Sequence, residues 1–490
     1  MGNKKHYISV DLGAESVRVM LGSIDGDQLE LQEIYRISND PIEEGGALKW
    51  DFQAIFAGVK EGIRRAVGQV RGQVAGIGID SWGVDFGLLD EEGRLMDNPY
   101  HYRDRRTEGM PEKAFEIMGQ GEIFENSGIQ FMSLNSLYQL LALKQEHPEV
   151  LARARSMLFM ADLVSYFLTG KIYAEYTLAS TSQMMDMRKG NWSRLILERF
   201  SLPLEIMPEV VPAGTWIGSL TDSLCRELGV EAIKVFAVGS HDTAGAVAAV
   251  PGAIEDWAFI SSGTWSVVGV EINEPIINDT VHKYGFTNEG GVEGTIRFLT
   301  NLAGLWPLQQ CRKHWQSEGE DLSYRELVEL ARKGEPFVAF LASGDEGLFR
   351  PGNMPVKINE YLKKTGQKQL DDKGQIVRVI LEGLALQYVK AIKAIEALRE
   401  KSIKVIHIVG GGSRNEILCQ FTANATGKRV IAGPVEATAM GNILMQAIAN
   451  GQIKSVSQGR EIVRRSCQFN TYLPRDTESW TRHFQKWIKT

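Results

Sequence analysis

The run Val235-Phe236-Ala237-Val238 is apolar and of strand character. It ends at Gly239-Ser240, and the polar triplet His241-Asp242-Thr243 then leads into small residues that read as a helix start. A strand feeding a helix N-terminus leaves backbone N–H groups free and puts the positive end of the dipole beside Asp242. An aspartate there is favoured as the anion and can accept a proton. The competing reading is a helix cap supplied by Ser240 or Asp242.

Nearer the start, apolar residues flank Asp11-Leu12-Gly13-Ala14-Glu15-Ser16, which predicts two strands within 7–21 around a tight turn that Gly13 permits. Turn amides with Ser16 and Arg18 suit phosphate oxygens. Asp11, at the strand end, suits Mg²⁺ held through water. Ile55, Val59, Ile63 and Val67 recur with helical period and predict a helix over 52–71. Residues 74–90 then read as buried strand, polar break and second strand. Asp80, Trp82 and Asp85 are costly inside a sheet unless paired, so the break is expected to face a cleft, with Gly83 letting a ligand reach the backbone. The loop from Tyr100 to Thr107 reads either as a solvated helix start or as a sugar contact. Residues 135–170 are predicted helical up to Gly170, as an inserted or covering subdomain. The Pro and Gly cluster over 203–218 breaks regular structure.

Beyond Asp242 the pattern of the first hairpin returns over Ala258 to Val270, about 250 residues on, which suggests a duplicated lobe. Thr287 to Gly291 is predicted as a turn. Residues 297–310 begin as strand and turn helical, with Asn301 and Gln309 on one face if the whole stretch is helix. Residues 404–434 read as strand, glycine loop, helix and strand. Gly410, Gly411 and Gly412 strip the loop of Cβ atoms, so a flat ring or a phosphate can lie against it. This is not the G-x-x-x-x-G-K-[ST] loop. Gly441 inside a predicted helix over 436–450 costs about 1 kcal/mol against Ala and signals close packing; that helix is read as structural.

Composition narrows the class. A chain of 490 residues exceeds one ordinary domain, and two lobes are expected, 1–246 and 247–490. Hydrophobic content of 43% with 23% charged residues fits a globular protein with ample core. A net charge of −7 argues against a general affinity for nucleic acid or for acidic membranes. Cys225, Cys311, Cys419 and Cys467 are scattered without zinc spacing and suit a reducing compartment. The most apolar window, 235–254, contains His241, Asp242 and Pro251 and makes a poor membrane span. With no apolar leader before Asp11, a cytoplasmic location is expected.

Taken in order and spacing, Asp11-Leu12-Gly13, Gly78-Ile79-Asp80-Ser81-Trp82-Gly83, Ser240-His241-Asp242-Thr243-Ala244, Ser261-Ser262-Gly263-Thr264-Trp265-Ser266 and Gly410-Gly411-Gly412-Ser413-Arg414-Asn415 resemble the FGGY carbohydrate kinases. The resemblance implies an α/β chain of two actin-like, ribonuclease-H-like lobes, with ATP and sugar meeting in the cleft between them. It implies transfer of the ATP γ-phosphate to O1 of L-rhamnulose; L-fuculose, L-xylulose and related ketoses are the alternatives, since a few hydroxyl partners separate them. Carried over by position, Asp242 is the general base, and Gly83, His241, Asp242, Thr243 and Asn301 contact the sugar. Ala14, Glu15, Ser16, Val17, Arg18, Thr264, Gln309 and Gly411 contact ATP, and Asp11 holds Mg²⁺. Glu15 and Val17 depart from the small residues usual after Asp-Leu-Gly. An acidic Glu15 beside polyphosphate is repulsive unless it points away or helps to hold the metal. The expected partners are sugar and ATP, with neither nucleic acid nor membrane, in a monomer or homodimer. An actin-like chaperone or filament subunit and a catalytically silent sugar sensor are the readings from other classes.

Overall fold

Strand Lys5–Leu12 buries every residue from Tyr7 onward, so both of its faces are covered. It turns at Gly13 into the antiparallel strand Ser16–Asp25, with Asp11 opposite Arg18. The computed structural model describes residues 4–70, 73–252, 256–341, 346–350 and 352–489. These fall into two units. Unit 1 comprises Met1–Pro251, Glu271–Phe298 and Ala437–Ser466; unit 2 comprises Gly252–Val270, Leu299–Glu436 and Cys467–Thr490.

In unit 1 the hairpin gains a third antiparallel strand, Gln28–Ser38, on one side. On the other side lie Val74–Ser81 and then Lys234–His241, both parallel to the first strand, and Trp216–Ser219 closes that edge antiparallel. Helix Phe52–Gln69 buries the predicted stripe of Ile55, Val59 and Ile63. It is capped by Asp51, whose side chain accepts from the Ala54 amide at 3.0 Å. Helix Ala437–Ala449 also packs on this sheet: Gln446 Nε2 donates to the Ile8 carbonyl at 2.9 Å.

Unit 2 repeats the scheme. Strand Trp257–Ser262 pairs antiparallel with Ser266–Ile272 and parallel with Val405–Val409. Arg429–Ala432 follows in parallel and Asn470–Tyr472 closes the edge antiparallel. The glycine loop, the helix Glu416–Thr426 with its stop at Gly427, and the strand after it lie where the sequence pattern placed them. The two units thus share a mixed α/β plan of hairpin, crossover and parallel strands, as the repeated hairpin suggested.

Three expectations are corrected. Residues 135–170 are not continuously helical: helices Ser136–Glu146, Pro148–Arg153 and Met160–Thr169 are interrupted by strand Ser156–Phe159, which pairs antiparallel with Phe86–Leu89. A short buried apolar run does not distinguish strand from helix by period. Thr287–Gly290 is a buried strand and not a turn. Its polar Asn288 is tolerated because Nδ2 donates to the carbonyls of Gly128 and Ile276, both at 3.0 Å, while Oδ1 accepts from the Ile276 amide at 2.7 Å. Asn301 ends a strand, Ile296–Leu302, and Gln309 lies in the next helix, Trp306–Ser317, so no single helical face joins them.

Gly441 shows why a helix interior keeps a glycine. A Cβ there would lie 1.8 Å from the carbonyl oxygen of Gly245, on helix Asp242–Ala248. Gly441→Ala therefore gains about 1 kcal/mol of helix propensity but overpacks a backbone crossing, for a net loss on the order of 2 kcal/mol. Gly68, with open space around its Cα, is the control: Gly68→Ala should stabilise by about 0.4–1 kcal/mol. Urea midpoints check both, and an unmoved or raised midpoint for Gly441→Ala would show that the crossing is not tight.

Candidate functional site

Parallel pairing sets Asp80 directly beside Asp11, and His241 beside Ser81, so the carboxyl ends of three neighbouring strands carry acidic groups. Ligands of open α/β sheets bind at such ends. Asp11 is buried and forms an ion pair with Arg18, which reaches it from the facing strand. Asp80 is fully buried. Its Oδ2 accepts from Asn442 Nδ2 at 2.5 Å, and its Oδ1 has no hydrogen-bond partner among the described residues. Burial first, and Asp11 second, push Asp80 well above the usual carboxylate range; the Asn442 hydrogen bond opposes them. Asn442 escaped the sequence reading because its helix was taken as structural. A signal existed: Asn442 and Gln446 sit one turn apart, both fully buried among Ala, Met, Ile and Leu, with Gln446 Nε2 donating to Asn442 Oδ1 at 2.7 Å.

Asp242 opens helix Asp242–Ala248. His241 occupies the cap position, and no side chain makes a cap hydrogen bond, so the capping reading of Ser240 and Asp242 finds no support. The Asp242 carboxylate is 38% exposed. Thr243, itself buried, donates its hydroxyl to Asp242 Oδ1 at 3.0 Å, and His241 Nε2 lies 3.5 Å from the same oxygen. On its other side His241 Nδ1 is 3.1 Å from Arg297 Nη2 and 3.2 Å from Glu289 Oε2. The strand end behind this group is pinned. Glu175 Oε2 accepts from the Ser240 amide at 3.2 Å, and Thr177 Oγ1 accepts from the His241 amide at 3.1 Å. Glu289, Arg297 and Glu175 were not found in the sequence, because they come from three separate segments with no shared motif.

The break after Val74–Ser81 is held firmly. Asp85 accepts from the indoles of Trp50 at 2.7 Å and Trp82 at 2.9 Å, from the Tyr102 amide at 3.1 Å, and from Gln139 Nε2 at 2.8 Å. Burial nonetheless raises Asp85 to about 6 against those donors. Asp85 is thus fully provided with donors, whereas Asp80 has a partner on one oxygen only. Gly83 lies over Thr181, 3.1 Å from a would-be Cβ, and Val84 adopts a left-handed φ of 71° that a β-branched residue rarely tolerates. A short helical turn, Arg105–Thr107, does start in the Tyr100–Thr107 loop, with Asp104 accepting from the Arg106 amide at 3.0 Å. His101 stacks at 4.2 Å on Trp50, and Arg106 lies 3.7 Å over Tyr100 while bonding Gln139.

In the first turn the Gly13 amide donates to Ser16 O at 3.0 Å, and Asn39 ties the turn through Gly13 O and Glu15 O. Ala14 and Ser16 are half-buried and Glu15 is exposed. Val17 is 1% exposed, its side chain in the core, so only its backbone serves the turn. In unit 2 the Leu305 and Trp306 amides donate to Gly263 O and Thr264 O at 3.0 and 3.2 Å, which brings the helix bearing Gln309 onto the turn bearing Thr264. Gln309 Oε1 is buried without a hydrogen-bond partner among the described residues. Gly411 follows the strand parallel to the hairpin and is exposed with open space around it. Its neighbours differ: a Cβ on Gly412 would lie 2.0 Å from Ser262 Oγ, and Gly410 has a φ of 79°. Two of the three glycines therefore serve packing and turn, and one is presented outward. Asn301 is half-buried at its strand end.

Comparison with known proteins gives the following. Residues 6–249 match the N-terminal domain, and residues 258–450 the C-terminal domain, of the FGGY family of carbohydrate kinases. The chain is 43% identical to the rhamnulokinase of Bacteroides thetaiotaomicron, over 99% of this chain and 100% of that one. It is 38% identical to the rhamnulokinase of Bacillus subtilis, over 97% and 96% of the two chains. Among solved structures it resembles a gluconate kinase from Lactobacillus acidophilus, with a TM-score of 0.83 at 16% identity over 99% and 97% of the two chains. It also resembles a glycerol kinase from Plasmodium falciparum solved with ADP, with a TM-score of 0.77 at 15% identity over 99% and 98%. These likenesses identify the fold as that of the two-lobed, actin-like sugar kinases. Among the described residues no helix is long and apolar enough to cross a membrane.

Glu175 gives a pH-dependent signature of this frame. Burial holds it at about 7, against 4.5 ordinarily, despite the donors from Thr177, Leu178 and Ser240. Between these values the unfolded chain releases a proton that the folded one keeps, so stability is full below about 4.5 and declines as pH rises through about 7. Glu175→Gln lacks this component. The wild-type minus variant unfolding free energy should fall by roughly 3 kcal/mol across that window and flatten above it. Asp162, buried nearby, is raised first by burial and second by the Glu175 charge, so the difference reports the two carboxyls as a coupled pair. A difference that does not vary with pH would show that Glu175 is ionised throughout.

Proposed function

The chain belongs to the FGGY family of carbohydrate kinases, and we propose that it transfers the γ-phosphate of ATP to O1 of L-rhamnulose, giving L-rhamnulose 1-phosphate and ADP. The observation that carries the substrate is the full-length likeness to curated rhamnulokinases. The observation that carries the chemistry is a partly exposed carboxylate, Asp242, on the first turn of a helix, with a hydroxyl and an imidazole arranged around it.

In this reading Asp242 takes the proton of O1 as that oxygen attacks the γ-phosphorus. The bond from phosphorus to the bridging oxygen breaks, and its electron pair leaves with ADP. A positioned base of this kind contributes about 10²- to 10⁴-fold. Thr243, buried with its hydroxyl on Asp242, aims the base, His241 and Gly83 border the sugar, and Asn301 is a further sugar contact in this reading. The ATP contacts in this reading are the turn from Ala14 to Arg18 within unit 1, and Thr264, Gln309 and Gly411 within unit 2. Val17 contributes backbone alone, and the exposed Glu15 is free to point away from phosphate. Gln309 Oε1, buried without a protein donor, is suited to a ligand N–H or hydroxyl.

Mg²⁺ fits the donor chemistry of unit 1. Asp11 offers a hard carboxylate at a strand end, and Mg²⁺ asks for only one or two such groups beside water and phosphate. Asp11 would hold the cation, and Arg18, now paired with Asp11, would offer its guanidinium to phosphate. When bound, the ion neutralises charge on the phosphate oxygens. Free thiols at all four cysteines accord with a cytoplasmic setting.

Coupled ADP release measured across L-rhamnulose, L-fuculose and L-xylulose tests the substrate. We expect kcat/KM to be highest for L-rhamnulose, and a preference for another ketose would transfer the assignment. Turnover that sugar does not stimulate would favour an actin-like ATPase of another class. Asp242→Asn should lower kcat by about 10²- to 10⁴-fold with folding intact; retained turnover would place the base elsewhere.

A further inference from the structure

Behind His241, on the side away from Asp242, lies a buried pair of opposite charges that the proposed chemistry does not use. Arg297 is 0% exposed. Its Nε donates to Gly290 O at 2.7 Å, and its Nη2 is aligned on His241 Nδ1 at 3.1 Å. Its Nη1 has no hydrogen-bond acceptor among the described residues. Glu289 Oε2 stands 3.2 Å from both Arg297 Nη2 and His241 Nδ1.

A guanidinium carries donors only and stays charged. The ring nitrogen it addresses must therefore present a lone pair. A neutral imidazole has a single N–H, which is then on Nε2, the atom 3.5 Å from Asp242 Oδ1. The opposite tautomer would turn Nδ1–H toward Glu289 but would leave the Arg297 proton facing another proton; either tautomer turns its one ring lone pair toward a carboxylate, Glu289 or Asp242, so that cost does not separate them. The alignment of Arg297 on Nδ1 decides between them. An uncompensated guanidinium in the interior is strongly unfavourable, and the Glu289 carboxylate supplies the compensating charge.

We infer that Arg297, with its charge balanced by Glu289, is a positioning residue that locks His241 in the Nε2–H tautomer. The imidazole then donates toward Asp242 and the acceptor hydroxyl and does not compete for the proton that Asp242 must take. The inference deepens the proposed kinase reading and rests on it for the roles of Asp242 and the sugar. The tautomer itself is a property of the protein alone.

The test uses the full chain labelled with ¹⁵N-histidine, observed without ligands above the ordinary imidazole range of pH. The His241 signals are assigned by their loss in His241→Gln. The expected result is a protonated-type shift at Nε2 and a bare-nitrogen shift at Nδ1, with that pattern lost in Arg297→Met. In the ADP-release assay Arg297→Met should lose on the order of 100-fold in kcat/KM for the sugar, as for a displaced catalytic group. KM for ATP should not change, and Arg297→Lys, which keeps a donor, should recover most of the loss. A proton on Nδ1 in the wild type, alone or together with Nε2, overturns the inference, as does an Arg297→Met enzyme with wild-type sugar kinetics. If Arg297→Met does not fold, the wild-type spectrum decides. Wild-type protein without sugar-stimulated ADP release would defeat the kinase reading and leave the tautomer result standing, so the two failures are distinguishable.

Discussion

Like charges brought together at the ends of adjacent strands set the terms for unit 1. Parallel register puts Asp80 beside Asp11, and the field of Asp242 reaches Asp80 as well. In a low-dielectric interior such acids cannot all be anions without partners. The chain resolves the conflict unequally. Asp11 receives a guanidinium, Asp80 receives a carboxamide and is driven toward its neutral form, and Asp242 is left partly in solvent, with a hydroxyl on one oxygen. One acid is thereby compensated by charge, one is driven toward its neutral form and one is left partly to water, and only the last is open to a ligand.

Helix Ala437–Ala449 enforces much of this. Gly441 lets it touch the backbone of helix Asp242–Ala248, Thr438 donates to the Asp242 carbonyl at 3.3 Å, and the next polar residue, Asn442, holds Asp80. Three neighbouring positions on one helix thus locate the acid that opens one element and neutralise the acid that ends another. A shift of this helix moves both, which couples the packing of the core to the geometry of the carboxylates. The cost of an interior glycine is therefore exchanged for position.

Much of this arrangement is visible in the residues themselves, because the strongest signals are local. The Gly13 hairpin, the helix through Ile55 and Ile63, the strand-to-helix step at Asp242 and the glycine loop at 410–412 each have a period or a turn that short-range sterics dictate. Where the reading failed, distant partners set the outcome. Ser156–Phe159 is a strand because Phe86–Leu89 offers it an edge. Thr287–Gly290 is a buried strand because backbone groups at Gly128 and Ile276 satisfy Asn288. The site followed the same division. Asp11 and Asp242 could be proposed from their turns, whereas Asn442 acquires meaning only against Asp80, and Glu289 and Arg297 only against His241, pairings between separate segments that no single window of sequence encodes.

The duplicated plan carries different charge in its two copies. At the position where unit 1 has Asp11 before its hairpin glycine, unit 2 has Ser261 before Gly263. Where the neighbouring parallel strand of unit 1 ends in Asp80, that of unit 2 ends in Val409 and an exposed glycine loop. Carboxylates repel a polyphosphate by several kcal/mol at short range unless a cation intervenes, whereas hydroxyls, amides and an open backbone accept it. The same frame therefore presents carboxylates in one unit and hydroxyls and open backbone in the other, with no change of fold between them. Arg18, already drawn to Asp11, is the one basic side chain of the first turn, so any phosphate reaching that turn must compete with Asp11 for it.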